Sequence, residues 1–394
     1  MTKIVLLVAD ALRKDVVYGD RVDTPNIDRL MERGTVFDHA YANGSATAAA
    51  MPAILASSTA NQLGRCPDTT TVAEALQRHG FETVGVSTNP NGGPFYGYDR
   101  GFDEFVDFVK TSAEKEERSL LFRLARRVAH SSDLLYSVIR KHRAKMELPY
   151  ERAETLNSEA VQRLEPGEDQ FLFLHYMEPH YPYLPPEEYI DTGSAAWQDR
   201  FQVNEDIKAY DDDPRDELTE KMWELYTGEV RYLDEQVGVL LDRLDALDEA
   251  TVIIFTADHG DQFGEHGAYL HPSSLYNVQL NVPFVVDGID VQGGMASHLD
   301  IGPTVLGRCG GSEDAFDGID LSAAQRDSVS VVLDDQRFVA TADWKLLDDA
   351  GDLSLFAIDD YLEQNDVAAE HPDVVEELAG MLDNKSSAVE GIDI

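Results

Sequence analysis

Short apolar runs recur along the chain, and each stops at residues able to do chemistry. Ile4 to Ala9 stops at Asp10, and Thr83–Val86 stops at Ser87-Thr88-Asn89. Phe171–Leu174 leads into His175 and then Glu178-Pro179-His180, and Val252–Phe255 leads into Asp258-His259-Gly260. Runs of this length predict buried strands of a mostly parallel sheet. Amphipathic helical stretches at 25–34, 71–79, 214–247 and 301–308 alternate with them, which predicts an α/β fold. Ligands of open α/β sheets bind beyond the carboxyl ends of the strands. Four segments distant in sequence are therefore expected to converge on one site.

Two regions break this rhythm. Residues 110–152 hold 11 basic residues against 6 acids. Their pattern predicts two helices broken near Ser131-Ser132, a basic helical insertion at the domain edge. After residue 325, VSVVL, RFVATADWKLL and LSLFAI read as short antiparallel strands separated by acidic turns, and DVVEELAGMLD reads as a final helix. The expected division is an α/β domain at 1–320, carrying the insertion, and a small α+β subdomain at 321–394.

Composition narrows the function. With 394 residues, 43% of them hydrophobic, the chain can bury a substantial core, and global disorder is excluded. Acids number 74 against 32 Lys and Arg, a formal charge of −42. Such a surface repels nucleic acid and anionic membrane, so neither is an expected partner. The acids are spread along the chain rather than clustered, which fits a cytoplasmic protein of an extreme halophile, where molar salt screens the self-repulsion. The two cysteines, Cys66 and Cys309, are too few for a disulfide framework. No stretch reaches the ~18 apolar residues of a membrane span, and the N-terminal run is too short for a secretion signal.

Asp258-His259 at a strand end places a carboxylate and an imidazole where both can reach one divalent cation. Asp10 offers a second carboxylate; taken singly, each aspartate also fits a helix cap. Larger blocks then decide. VLLVADALRKD near the start, TPNIDRLMERGTVFDHAYA at 24–42, PHYPY at 179–183 and ADHGDQFGEHG at 257–267 occur in that order. LNVPFVV, LDIGPTVLGRCG, and ADWKLL followed by LSLFAIDDYLEQNDVA continue the series. Together they resemble the sulfatase family of the alkaline phosphatase superfamily over the whole chain except 110–152. The resemblance implies an alkaline-phosphatase-like three-layer α/β sandwich with a large mostly parallel sheet, plus the small C-terminal subdomain. It also implies a hydrolase of sulfuric or phosphoric esters.

Carried over residue by residue, Asp10, Asp258 and His259 match metal ligands, while a second aspartate present in many members is Ala11 here. One divalent ion is implied (Ca, Mg, Mn or Zn), with His259 shifting the set away from an all-oxygen calcium cage. The family's C/S-x-P-x-R nucleophile motif is missing: Thr47 falls on the nucleophile position, with Ala49 and Met51 on the proline and arginine positions. No formylglycine is expected. Thr47 can still serve as nucleophile and metal ligand, as in the similar nucleotide pyrophosphatases and lipoteichoic acid synthases, because a hydroxyl beside a cation has a lowered pKa. His180 and His271 match positions facing the scissile ester, where they would hold an oxygen or protonate the leaving group. Asn89, in a segment replacing the family's GKWHLG, and Arg13 are expected to bind substrate. His175 and His266 are expected to be structural. Three readings stand: a hydrolase of glycan or small-molecule sulfate esters, a phosphoester hydrolase or phosphotransferase working through Thr47, and a non-catalytic binding protein on the same scaffold.

Overall fold

The computed structural model describes residues 1–60, 64–108, 150–191, 193–209, 216–333 and 335–389. Most of the expected 110–152 insertion lies outside the described residues.

In chain order the strands are β1 (Thr2–Asp10), β2 (Thr35–Val36), β3 (His39–Tyr41), β4 (Glu82–Ser87), β5 (Glu104–Asp107), β6 (Gln170–Pro179), β7 (Ala250–Ala257), β8 (Gln262–Phe263), β9 (Tyr269–Leu270), β10 (Phe284–Asp287), β11 (Met295–Ser297), β12 (Val329–Leu333), β13 (Gln336–Ala340), β14 (Trp344–Asp349) and β15 (Asp352–Ala357). Seven of them form one sheet in the order β2-β10-β7-β1-β6-β4-β5. β1 lies between β6 and β7 and is parallel to both; among the described strands only β10 runs against its neighbours in this sheet.

Both faces of this sheet are covered, which is why its strands read as unbroken apolar runs. Along β1, Val5, Leu7 and Ala9 enter one core while Ile4, Leu6 and Val8 enter the other. The long Asp216–Asp245 helix covers the first face with Tyr226, Val230, Leu233, Val237 and Leu241. The Thr47–Ala56, Val72–Arg78 and Ile301–Arg308 helices cover the second. The result is a helix–sheet–helix sandwich, as the family resemblance implies.

Four antiparallel strands, β12 to β15, form a second sheet. The sequence pattern predicts three; RFVATADWKLL is in fact a hairpin, because Thr341 N bonds Trp344 O at 2.8 Å and turns the chain between β13 and β14. One face of this sheet packs Val339, Leu346 and Leu355 against Leu378 and Leu382 of the Pro372–Val389 helix. Phe338, Leu347 and Phe356 on its other face join the main core. A fully buried lysine pins the junction. Lys345 Nζ bonds Glu363 Oε1 at 2.6 Å, Leu275 O at 2.7 Å and Asn277 Oδ1 at 3.0 Å. Among the described residues no helix is long and apolar enough to cross a membrane.

Candidate active site

The strand register builds the site. Val8 pairs with His175, Ser87 with His175, and Ala9 with Ala257, so the ends of β1, β4, β6 and β7 fall side by side. A register shift at Ala9/Asp10 opens β1 there. The following residue, Ala11, turns away at φ +58, a left-handed conformation costing a β-carbon-bearing residue roughly 1–3 kcal/mol. Two bonds hold that turn: Ala11 N donates to Asp258 Oδ1 at 3.1 Å, and Ala11 O accepts from Tyr226 Oη at 2.8 Å.

Asp10, Asp258 and His259 are wholly buried, and each offers a ligand atom within 4.8 Å of the others. His259 Nδ1 lies 2.7 Å from the carbonyl of Gly260. A carbonyl can only accept, so the ring hydrogen sits on Nδ1 and Nε2 presents a bare lone pair. That lone pair faces Asp10 Oδ1 at 3.5 Å and Asp258 Oδ2 at 3.8 Å. None of these three atoms has a hydrogen-bond partner among the described residues. Three buried acceptors facing one another without a hydrogen between them need a cation, and two carboxylate oxygens with one imidazole nitrogen suit a divalent ion. The residues present therefore fit the metal that the sequence implies. Without a cation the two carboxylates share the strain unequally: burial and the neighbouring Asp258 push Asp10 up to about 7. Asp258, although burial raises it, is held below the ordinary carboxylate range by His259 and His175.

Thr47 is the first residue of the Thr47–Ala56 helix, whose N-terminus adds positive potential and free N–H groups at this point. Its Oγ1 lies 3.4 Å from Asp10 Oδ2 and accepts from Asn89 Nδ2 at 3.1 Å. The Asn89 amide also donates to Asp10 Oδ2, and its carbonyl accepts from Asn91 N at 2.7 Å. The sequence leads one to expect Asn89 at the substrate; its amide is instead committed to orienting Thr47 and Asp10.

His271 and His180 stand on the open side. The His271 ring is 4.8 Å from that of His259 and 5.0 Å from that of His180. His271 Nδ1 lies 2.9 Å from Asp261 Oδ1, and Asp261 Oδ2 accepts from Tyr183 Oη at 2.6 Å. Burial alone would lower His271, but the bond to Asp261 and the charges of Asp261, Asp10 and Asp258 raise it to about 9. The opposite holds for His180, which burial and then cationic His271 lower.

Arg13 departs from expectation. Its guanidinium is buried between carboxylates, with Nε and Nη2 on Asp15 at 2.9 and 2.8 Å and Nη1 on Glu265 at 2.8 Å. It also caps the carbonyl of Asp261 at 3.1 Å and lies over the Trp223 ring. Four of its five N–H donors are engaged in this way and the side chain is buried, so it braces the 258–265 loop instead of facing the open side of the site. His175, expected to be structural, reaches the site instead: its wholly buried Nε2 is 3.7 Å from Asp258 Oδ2. Asp261 and Tyr183 also belong to the site without standing out in the sequence; the i+2 position after His259 is the signal that could have found Asp261.

Comparison with known proteins places the chain in a family. The sulfatase family model matches residues 2–311. Human iduronate 2-sulfatase is 28% identical over 336 residues, covering 72% of this chain and 58% of its own length. The chain thus spans less than two thirds of that relative. The arylsulfatase of Clostridium perfringens is 22% identical over 333 residues, covering 72% of this chain and 68% of its own length. Among solved structures, BT4656 in complex with its substrate D-glucosamine-2-N,6-O-disulfate superposes with a TM-score of 0.74 at 15% identity, over 99% of this chain and 98% of that one. That last likeness concerns the fold. With the family model spanning β1, β7 and the Thr47–Ala56 helix between them, the chain belongs to the sulfatase family.

Proposed function

We propose that this protein is a metal-dependent hydrolase of sulfate esters that uses Thr47 as its nucleophile and Asp10, Asp258 and His259 as metal ligands. The observation that carries the reading is the meeting of three unpartnered buried acceptors with a hydroxyl at a helix N-terminus. A divalent cation held there would draw in the ester's oxyanion and lower the pKa of the adjacent hydroxyl.

The chain's own residues supply the rest. Asn89 donates to Thr47 Oγ1, and the Thr47 hydroxyl donates to Asp10 Oδ2 at 3.4 Å. When Oγ1 bonds to sulfur, its proton passes to Asp10 Oδ2, the bond from sulfur to the alcohol oxygen breaks, and the imidazolium of His271 gives that oxygen its proton. Neutral His271 then takes a proton from water as the water oxygen attacks sulfur; the bond from sulfur to Oγ1 breaks, the proton held by Asp10 returns to Oγ1, and hydrogen sulfate leaves. Iduronate 2-sulfatase and the BT4656 complex with a disulfated glucosamine support a sulfated glycan or small molecule as the substrate class we propose here.

One observation favours a second reading. A formylglycine hydrate can expel sulfate through its second hydroxyl, whereas Thr47 has only one and must be freed by attack at the central atom. That route suits a phosphoryl intermediate, so a phosphate monoester or diester is the alternative substrate. A screen of metal-loaded protein in molar KCl against aryl sulfate, aryl phosphate and aryl phosphodiester separates them. Sulfate release is expected; hydrolysis of phosphoesters alone would replace the first reading with the second. Inertness toward all three would leave a binding protein.

A further inference from the structure

We propose that His175 is a positioning residue of the metal centre, turning Asp258 toward the cation and offsetting part of its charge. The inference rests on the reading of Asp10, Asp258 and His259 as a metal centre. Around the Asp258 carboxylate, four wholly buried atoms have no hydrogen-bond partner among the described residues: Asp10 Oδ1, Asp258 Oδ2, His259 Nε2 and His175 Nε2. The first three belong to the group that can share one ion, which leaves His175 Nε2 as the unexplained fourth. A buried imidazole nitrogen without a partner costs roughly 1–3 kcal/mol unless something nearby satisfies it. The nearby atom is Asp258 Oδ2, at 3.7 Å.

The surroundings fix which way the ring faces. The Ser87 hydroxyl donates to the Asn89 carbonyl at 3.2 Å, so the tautomer is set on the other side of the ring: Nε2 faces Asp258 Oδ2, which can only accept, and the ring hydrogen that satisfies this contact sits on Nε2. Gly92 closes off the other side. A β-carbon at Gly92 would stand 2.9 Å from His175 Nδ1, so the turn after Asn89 packs backbone directly against the imidazole. Strand pairing adds the last constraint, since His175 is opposite both Val8 and Ser87 and its backbone cannot slide along β6. The ring is thus clamped with a single donor aimed at a metal-binding carboxylate. Groups that orient metal ligands in this way typically change metal affinity by about 10–100-fold when removed.

The test measures Mn²⁺ binding by electron paramagnetic resonance, without substrate, in the full chain and its variants. His175→Phe keeps a ring of similar shape but no donor, and about 10–100-fold weaker Mn²⁺ binding is expected. His175→Gln can still donate an N–H toward Asp258 and should stay within about threefold of the wild type. Gly92→Ala leaves every ligand and His175 itself in place but pushes on the ring, so it should weaken binding in the same direction; it keeps the question open to experiment if the Phe variant fails to fold. Equal Mn²⁺ affinity in the Phe variant and the wild type overturns the proposal. Equal losses in the Phe and Gln variants also overturn it, since the volume of the ring and not its donor would then be what matters. The readout needs no turnover, so a protein that binds Mn²⁺ but hydrolyses no ester would defeat the hydrolase reading and leave this inference standing.

Discussion

His271 Nδ1 and Asp261 Oδ1 are 2.9 Å apart, and the same carboxylate accepts the Tyr183 hydroxyl through its other oxygen. Asp261 therefore fixes both the charge and the direction of the histidine assigned to protonate the leaving group. Asp261→Asn removes a charge-assisted bond of about 1.5–3 kcal/mol, so kcat/KM should fall about 10- to 100-fold with the metal still bound. Steady-state kinetics beside a metal titration checks this; unchanged kcat/KM would remove His271 from the mechanism.

Thr47→Ala should abolish turnover while metal binding persists through the other three ligands. Thr47→Ser keeps the attacking oxygen and should retain much of the activity. Ser45, two residues earlier, is the control: Ser45→Ala should matter little. The reverse pattern would mean that the nucleophile loop is misaligned by two residues, and full activity in both alanine variants would point to water as the nucleophile.

Divalent metal should stabilise the fold, because it relieves two buried carboxylates of which one is pushed up to about 7 by burial and its neighbour. At a concentration 100 times Kd the gain is about 2.7 kcal/mol, a rise of a few degrees in Tm for a chain this size. A chelator should reverse the shift in calorimetry. In Asp258→Asn the shift should shrink or vanish.

A second acidic pair gives a pH signature away from the metal. Glu178 and Glu229, both wholly buried, share Arg152, whose Nη1 is 3.7 and 3.4 Å from them. Burial raises Glu178 to about 8, helped by Glu229, and raises Glu229 to about 7 against the pull of Arg152. The folded state therefore holds protons that the unfolded chain releases near the ordinary glutamate value of about 4.3. Their contribution is fully present below that pH and is lost as pH rises through 7 and 8. Tm should accordingly fall between pH 5 and 8, and Glu178→Gln should flatten that slope; an unchanged slope would show that the pair does not titrate in this window.

We also propose that the chain works in concentrated salt. Exposed pairs such as Arg29–Asp242 and Arg33–Asp245 contribute at most about 1 kcal/mol each, and salt weakens them. The self-repulsion of 42 net negative charges outweighs them, and the Debye length of ~10 Å at 0.1 M shrinks to ~3 Å at 1 M. Tm should therefore rise from dilute buffer to molar KCl. A Tm that falls or stays level would contradict adaptation to salt.

The buried Asp10–Asp258–His259 group is legible in the sequence because each member ends an apolar run, and a strand end has one direction in a parallel sheet. Thr47 needs the family resemblance, since nothing local separates a nucleophilic threonine from one that merely begins a helix. Arg13 misleads because proximity to Asp10 in sequence says nothing of Glu265, the carboxylate 252 residues away that holds it. His175 misleads for the opposite reason. A histidine inside an apolar strand looks like core until the β1–β6 register sets it beside the end of β7. Lys345 gives no sign of burial, since its partners come from a loop and a turn that no periodicity connects to β14.

That lysine bears on how the molecule could be divided. The two oxygens it grips outside its own sheet, Leu275 O and Asn277 Oδ1, lie a few residues beyond His271, and Glu363 also binds Asn277 N at 2.6 Å. A chain cut after the Ile301–Arg308 helix would leave these groups facing water and the His271 segment untethered. The C-terminal sheet is for this reason a poor boundary for grafting or domain exchange. A chimaera that borrows a foreign C-terminal sheet would need to import the Lys345–Glu363 pair and the 275–277 segment together, as one transplantable unit.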